Sequence, residues 1–446
     1  MPERDGGRPA SSAAGGSRTG WDAFVDDFLT ATFAAHPDLA TWAGRHELDG
    51  RLPDWSSVGL ASDAARLRGT ATRARAFDGE RLGTAGRFER DYLLARIDHD
   101  LFWLESARSP STNPTWYANA LDPNVYVTRP YAPLAERLRA YTAYARAVPE
   151  ATRQIRANLA EPLPHTFIEV ARTAFGGMAA YYEDDVPGVF GAVPDARLQA
   201  EFREANAGAA AAMRELDAWF ANGERSATDH FALGPELFAG MLRDTERVDV
   251  PLEELERVGR EELRRNLAAL AQACAALDPA SSMEACVARV QARKPLDGPV
   301  VEARRQLDLL ERFVREQELV TIPGDERALV AESPPYMRWN AAYIDIPGPY
   351  ERGLPAVYYI APPDPAWSPA EREAYLPGWA DLLFVSLHEV WPGHFLQFLH
   401  SNRSRSRLGG VFVGYAFAEG WAHYAEEMMW EAGFNAGDPE TRIGQL

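Results

Sequence analysis

Two short stretches carry the residues able to do chemistry. One is Leu387-His388-Glu389-Val390-Trp391-Pro392-Gly393-His394, and the other is Phe417-Ala418-Glu419-Gly420-Trp421-Ala422-His423-Tyr424-Ala425-Glu426. Neutral imidazole and carboxylate are the ordinary ligands of zinc, and a catalytic zinc keeps one position open for water. A histidine followed directly by a glutamate offers a ligand and, beside it, a carboxylate able to act as general base. His388 and Glu389 have that arrangement. The next histidine, His394, comes six residues after His388, where the common motif has four. On an unbroken helix six residues turn through roughly 600°, which leaves His394 well off the face of His388. Pro392 removes the difficulty, because it lacks an N–H and clashes with the carbonyl four residues back, so the helix must kink, bulge or restart there. Gly393 adds backbone freedom. The expectation is that this distortion absorbs the extra residues and returns His394 to the metal.

The third ligand is expected from the second stretch. Glu419, His423 and Glu426 stand at i, i+4 and i+7 and share one helical face. Glu419 is the candidate ligand. Glu426 is the candidate for orienting a ligand histidine through its far nitrogen. His423 is either a substrate contact or a spare. Taken singly, a histidine on an apolar helix is usually a packing or surface residue, and Trp391, Phe395 and Trp421 fit a core better than a recognition surface. Two motifs and an acidic helical face together point to a site. His36, His46, His99, His165 and His230 stand alone and read as structural. Glu183-Asp184-Asp185 reads as a solvated turn, and Arg403, Arg405 and Arg407 as an exposed loop. Pro334-Pro335-Tyr336 and Pro347-Gly348 are candidates for a rim near the site. There is no P-loop, no dinucleotide glycine fingerprint after a strand and no Gly-x-Ser-x-Gly elbow.

The elements that must position these residues are mostly helical. Phe24, Phe28, Leu29 and Phe33 recur at helical spacing, and the same style continues over Arg66 to Phe77 and Ala85 to Leu104. Residues 107–130, rich in Pro, Asn, Ser and Thr, read as a long loop. Long amphipathic helices are expected over Pro133 to Leu159, Asp195 to Ala221, Pro251 to Leu277 and Val300 to Leu319. Two short runs rich in β-branched and aromatic residues, Leu319 to Pro323 and Ala356 to Ile360, read as strands, with a third over Asn340 to Pro349. Helix then resumes from Trp379 to Trp391, His394 to Asn402 and Tyr415 to Ala432. The fold class is therefore mainly α, with a small sheet beside the histidine motif.

Composition sets the outer limits. The 446 residues are 46% hydrophobic and 25% charged, as in a soluble globular protein, and suffice for a large core or two lobes. A formal net charge of −19 repels nucleic acid and anionic membranes, so neither is expected as a partner. No apolar run approaches the roughly 20 residues that cross a bilayer. Met1 to Gly20 lacks a signal-peptide core and reads as a disordered tail, with the folded domain from residue 21 to 446. Two cysteines, Cys274 and Cys286, cannot build a disulfide framework, and a reducing cytosol fits.

At the two motifs the sequence resembles the DUF885 family, bacterial proteins marked by His-Glu-x-x-Pro-Gly-His and then Glu-Gly-Trp-Ala-x-Tyr-x-Glu. Both are present, as His388 to His394 and Glu419 to Glu426, and the likeness extends to Leu233–Leu242, Leu252–Leu255 and Tyr336–Pro362. The resemblance implies a helical metallopeptidase-like fold similar to the thimet-oligopeptidase and carboxypeptidase Taq group, with helical halves flanking a deep cleft. It further implies zinc on His388, His394 and Glu419, water activation by Glu389, and a cleft lined by the strand carrying Tyr358 and Tyr359, which would pair with an extended peptide. Family members usually run well past the Glu-Gly-Trp helix. A chain stopping at Leu446 is therefore expected to lack their last substrate-binding groups. The functional expectation is a zinc-dependent hydrolase of peptide or small amide bonds. The alternatives are a catalytically impaired cleft protein that binds a peptide or small molecule, and a hydrolase of a natural-product amide or ester.

Overall fold

The computed structural model describes residues 18–446, with side chains from Gly20. The expected N-terminal tail falls outside the described residues as far as residue 17; residues 18–20 open the first helix, Arg18–Ala35. The fold is mainly α with one three-stranded sheet. Among the described residues no helix is long and apolar enough to cross a membrane.

One helical layer is built from Leu134–Asn158, His165–Asp184 and Ala196–Gly223, which pack side by side. Their apolar stripes close over Tyr141, Tyr144, Phe175, Tyr182, Phe202, Met213 and Phe220. Buried tyrosines must satisfy their hydroxyls, and here Tyr144 and Tyr182 do so on each other at 2.6 Å. The helix His165–Asp184 was not among the expected helices. In the fold, a Cβ on Gly177 would stand 2.5 Å from the Cα of Tyr336, so the glycine lets two backbones touch. Tyr336 itself is fully buried and donates to Asp122 at 2.6 Å. It is core, not the rim residue expected. Residues 107–130 are likewise not an open loop. They form short turns at Ser109–Thr112, Pro114–Tyr117, Asn119–Leu121 and Asn124–Thr128, and bury Tyr117, Leu121 and Tyr126.

The second layer holds the sheet. Strand β1 (Ala328–Glu332) pairs parallel with β3 (Ala356–Ile360), and β2 (Ala342–Asp345) pairs antiparallel on its other side, giving the order β1-β3-β2. The expected strand at Leu319 to Pro323 is absent. Leu319, Val320 and Ile322 pack their side chains on the core without entering a ladder, which Pro323 could not extend. Strand β3 is central, so it cannot take up an extended peptide as expected; only β1 and β2 have a free edge.

Helix Pro299–Glu316 lies on the sheet and grips the helix Trp379–Glu389. Buried Gln306 donates to the Trp379 carbonyl at 3.0 Å and accepts from Ser386 at 3.2 Å, while the Trp379 indole donates to Glu302 at 2.6 Å. Below it, the helices Leu252–Leu277 and Met283–Gln291 are joined by a Cys274–Cys286 disulfide, packed on Ala380 and Ile443. The pairing removes the support that cysteine usage lent to a reducing cytosol.

Buried Arg129 ties the layers together. It donates to Asp345 on β2 at 2.5 Å and to Glu351 at 2.8 Å, and to the carbonyls of Trp42 and Ile346 at 3.1 Å each. Four of the lone histidines rest on carboxylates: His36 meets Asp63, His46 stacks on Tyr131 and meets Asp49, His99 meets Asp100 and His165 meets Glu224, while His230 is exposed. Arg403 and Arg407 are held in ion pairs with Glu326 and Asp26.

Candidate metal centre

The helix carrying His388 ends one residue later, at Glu389. The chain then turns through Val390 to Gly393 and restarts as the helix His394–Ser401. The Trp391–Pro392 bond is cis, and the Gly393 N–H reaches back to the Leu387 carbonyl at 3.1 Å. A Cβ on Gly393 would lie 1.7 Å from the His388 carbonyl oxygen, so only glycine fits this turn. The Trp421 indole donates to the Pro392 carbonyl at 2.8 Å and pins the turn to the helix Tyr415–Glu431. The two imidazole rings are thereby brought to a centroid separation of 4.7 Å, perpendicular to each other.

Glu419 completes a cluster. Its Oε2 lies 3.5 Å from His388 Nε2 and 3.7 Å from His394 Nε2, and the three ligand atoms all lie within 4.8 Å of one another. Two ligands each 2.0–2.1 Å from a tetrahedral zinc stand about 3.4 Å apart, so these edges suit one ion. A second grouping, His388 with His423 and Glu426, is also compact. Its closest edge decides against it: Glu426 Oε1 is 2.7 Å from His388 Nδ1, a hydrogen bond and too short for two ligands of one zinc. Glu426 therefore orients His388 and leaves Nε2 facing Glu419. His423 Nδ1 lies 3.3 Å from the same Glu426 oxygen, and His423 is exposed.

Electrostatics divide the roles. Burial pushes His394 down to about 4, and the neighbouring His388 adds to this, so His394 is neutral as a ligand must be. Burial also opposes charge on His388, but the Glu426 hydrogen bond and the surrounding carboxylates outweigh it and raise its value. Glu389 is only 8% exposed. Burial pushes it up to about 7, with Glu419 adding to the rise, against the pull of His388 and the Ile344 backbone amide. A carboxyl tuned near neutrality beside a ligand cluster suits proton transfer. Of the two tyrosines expected at the site, Tyr358 faces this side of the sheet, its hydroxyl 3.5 Å from Ser386 Oγ. Tyr359 faces the other, stacked on Tyr343 at 5.0 Å.

Sequence reasoning passed over two contributors. Trp421, read as core, supplies the hydrogen bond that fixes the turn. Ile344, whose only signal was its place in a short strand, supplies the amide that meets Glu389.

A family model described as "Bacterial protein of unknown function (DUF885)" matches residues 37–446. The chain belongs to that family. Two solved structures share the fold of this DUF885 chain. One, called a "putative lipoprotein of unknown function" and from Shewanella oneidensis, is 22% identical with a TM-score of 0.70, over 96% of this chain and 80% of the other. The other, a "putative lipoprotein" from Colwellia psychrerythraea, is 12% identical with a TM-score of 0.72, over 97% and 81%. No curated protein matches the chain.

Proposed function

We propose that the chain is a zinc-dependent hydrolase of peptide or small amide bonds, with Glu389 as its general base. The observation that carries this reading is the convergence of His388 Nε2, His394 Nε2 and Glu419 Oε2 beside a buried carboxylate. Two histidines with one carboxylate form a donor set that catalytic zinc takes. Zinc bound there supplies a Lewis acid for the scissile carbonyl and acidifies water. His388, His394 and Glu419 would hold it, and Glu426 would keep the His388 ring in place. Glu389 takes a proton from the attacking water as the new C–O bond forms. It then gives that proton to the leaving nitrogen as the C–N bond breaks, so acid and base are one group. The likeness of the motifs to thimet-oligopeptidase-type enzymes supports a peptide as the substrate class, by analogy of motif.

The test is bound metal and turnover together. The full chain is expected to carry close to one zinc and to hydrolyse members of a mixed peptide panel. Turnover should vanish in the Glu389→Gln protein while zinc stays. A chain that takes up no metal would end the proposal.

A further inference from the structure

A separate chamber of about 340 Å³ lies along β2. Tyr343, Ile344 and Asp345 all line it. Consecutive strand residues point to opposite faces, so a cavity touching all three follows the strand's free edge. Asp38, Asp122 and Asn124 also line it. Ile344 belongs to both sites, because its backbone also meets the Glu389 carboxylate.

The polar groups around this space are left short of donors. Asn124 is 4% exposed; its Nδ2 donates to Asp345 at 3.2 Å, but its buried Oδ1 has no partner. Asp38 Oδ1 is likewise buried without a hydrogen bond. Asp122 accepts from the Tyr336 hydroxyl and the Asn124 N–H but forms no ion pair among the described residues. The two cations on the wall do not close the gap: Arg129 is divided between Asp345 and Glu351, and Arg51 is exposed. Burial raises the carboxyls of Asp38 and Asp122, the latter to about 6, against the opposing pull of His36 on Asp38 and of Arg129 on Asp122. Native structures rarely leave two buried acceptors unmet around one space, and a group with several N–H donors and a positive charge would meet the Asp38 and Asn124 oxygens beside the Asp122 carboxyl.

We propose that this chamber binds a cationic nitrogen group, an ammonium or a guanidinium, carried by the substrate whose bond is cut beside Glu389. The word substrate rests on the hydrolase reading; the binding of the cation does not. Titration calorimetry on the metal-free full chain separates the two. The probes are butylguanidinium against its neutral twin butylurea, for a side-chain group, and alaninamide against isobutyramide, for a chain-terminal ammonium. One cation is expected to bind at least tenfold more tightly than its twin, and the winner identifies the source. Asp38→Asn and Asp122→Asn should each remove that preference tenfold or more. Asp122 also holds Tyr336, so Asp38→Asn decides the matter if the other variant does not fold. Equal binding of cations and twins, or an unchanged preference in the Asp38→Asn protein, would overturn the proposal. Peptide turnover without cation preference would sink the chamber alone, and cation preference without turnover the hydrolase reading alone.

Discussion

Glu426 Oε1 sits 2.7 Å from His388 Nδ1, and this contact fixes which nitrogen of the imidazole is free for a metal. The Nδ1–H donates to the carboxylate, so Nε2 carries the lone pair toward Glu419. Removing such an orienting carboxylate typically weakens metal affinity 10–100-fold. Glu426→Gln is expected to lose zinc in that range to a competing chelator, and His388→Ala to lose it altogether. Affinity unchanged in Glu426→Gln would show that the carboxylate only decorates the helix.

Glu389 makes opposite predictions for activity and stability. Glu389→Gln should cut turnover by about a thousandfold or more, since a general base is removed. The folded carboxyl titrates near 7 against an ordinary value of 4.5. The folded state therefore holds the proton more tightly, and the stability this brings is complete below about pH 4.5 and lost as pH rises through about 7. The loss amounts to about 3 kcal/mol. Glutamine does not titrate, so metal-free Glu389→Gln should be more stable than the parent at pH 8, by up to that amount, and no more stable at pH 4. Urea melts at the two pH values read the difference. An equal gap at both would refute the assignment.

The disulfide closes a loop between residues 12 apart in sequence. Constraining a loop of this size in the unfolded chain is worth about 3 kcal/mol. Cys274→Ser is expected to lower the denaturation midpoint accordingly. A thiol count on the unfolded parent, made without reductant, should find none. Two free thiols there would remove the link.

What could be read from sequence divides along a physical line. The return of His394 to His388 was legible because Pro392 and Gly393 announce a broken helix, and local backbone chemistry is written in the residues themselves. The amphipathic helices Leu134–Asn158 and Ala196–Gly223 were legible by periodicity. The misses depend on partners distant in the chain. At Gly177 the helix touches the Tyr336 backbone, a contact that no local pattern announces. Val320 and Ile322 look like a strand, but their burial comes from packing. That β3 is central, and Tyr359 turned away from the metal cluster, follows from strand order, which no single strand encodes. The Cys274–Cys286 pairing needed the two helices to be laid side by side.

Gly393 gives the sharpest test of how the site is assembled. Its Cβ would fall 1.7 Å from the His388 carbonyl oxygen, a backbone atom that cannot swing aside. Gly393→Ala must therefore open the turn that returns His394 to His388. The expected cost is about 3 kcal/mol or more in stability, with zinc binding lost alongside. Gly259 is the control, since nothing lies within 4 Å of its Cβ position and it sits in the helix Leu252–Leu277. Gly259→Ala should stabilise by up to about 1 kcal/mol, because alanine is the better helix former. Thermal melts and zinc content of both variants check the contrast. If Gly393→Ala melts like the parent and keeps its zinc, the tight turn is not what brings the two histidines together.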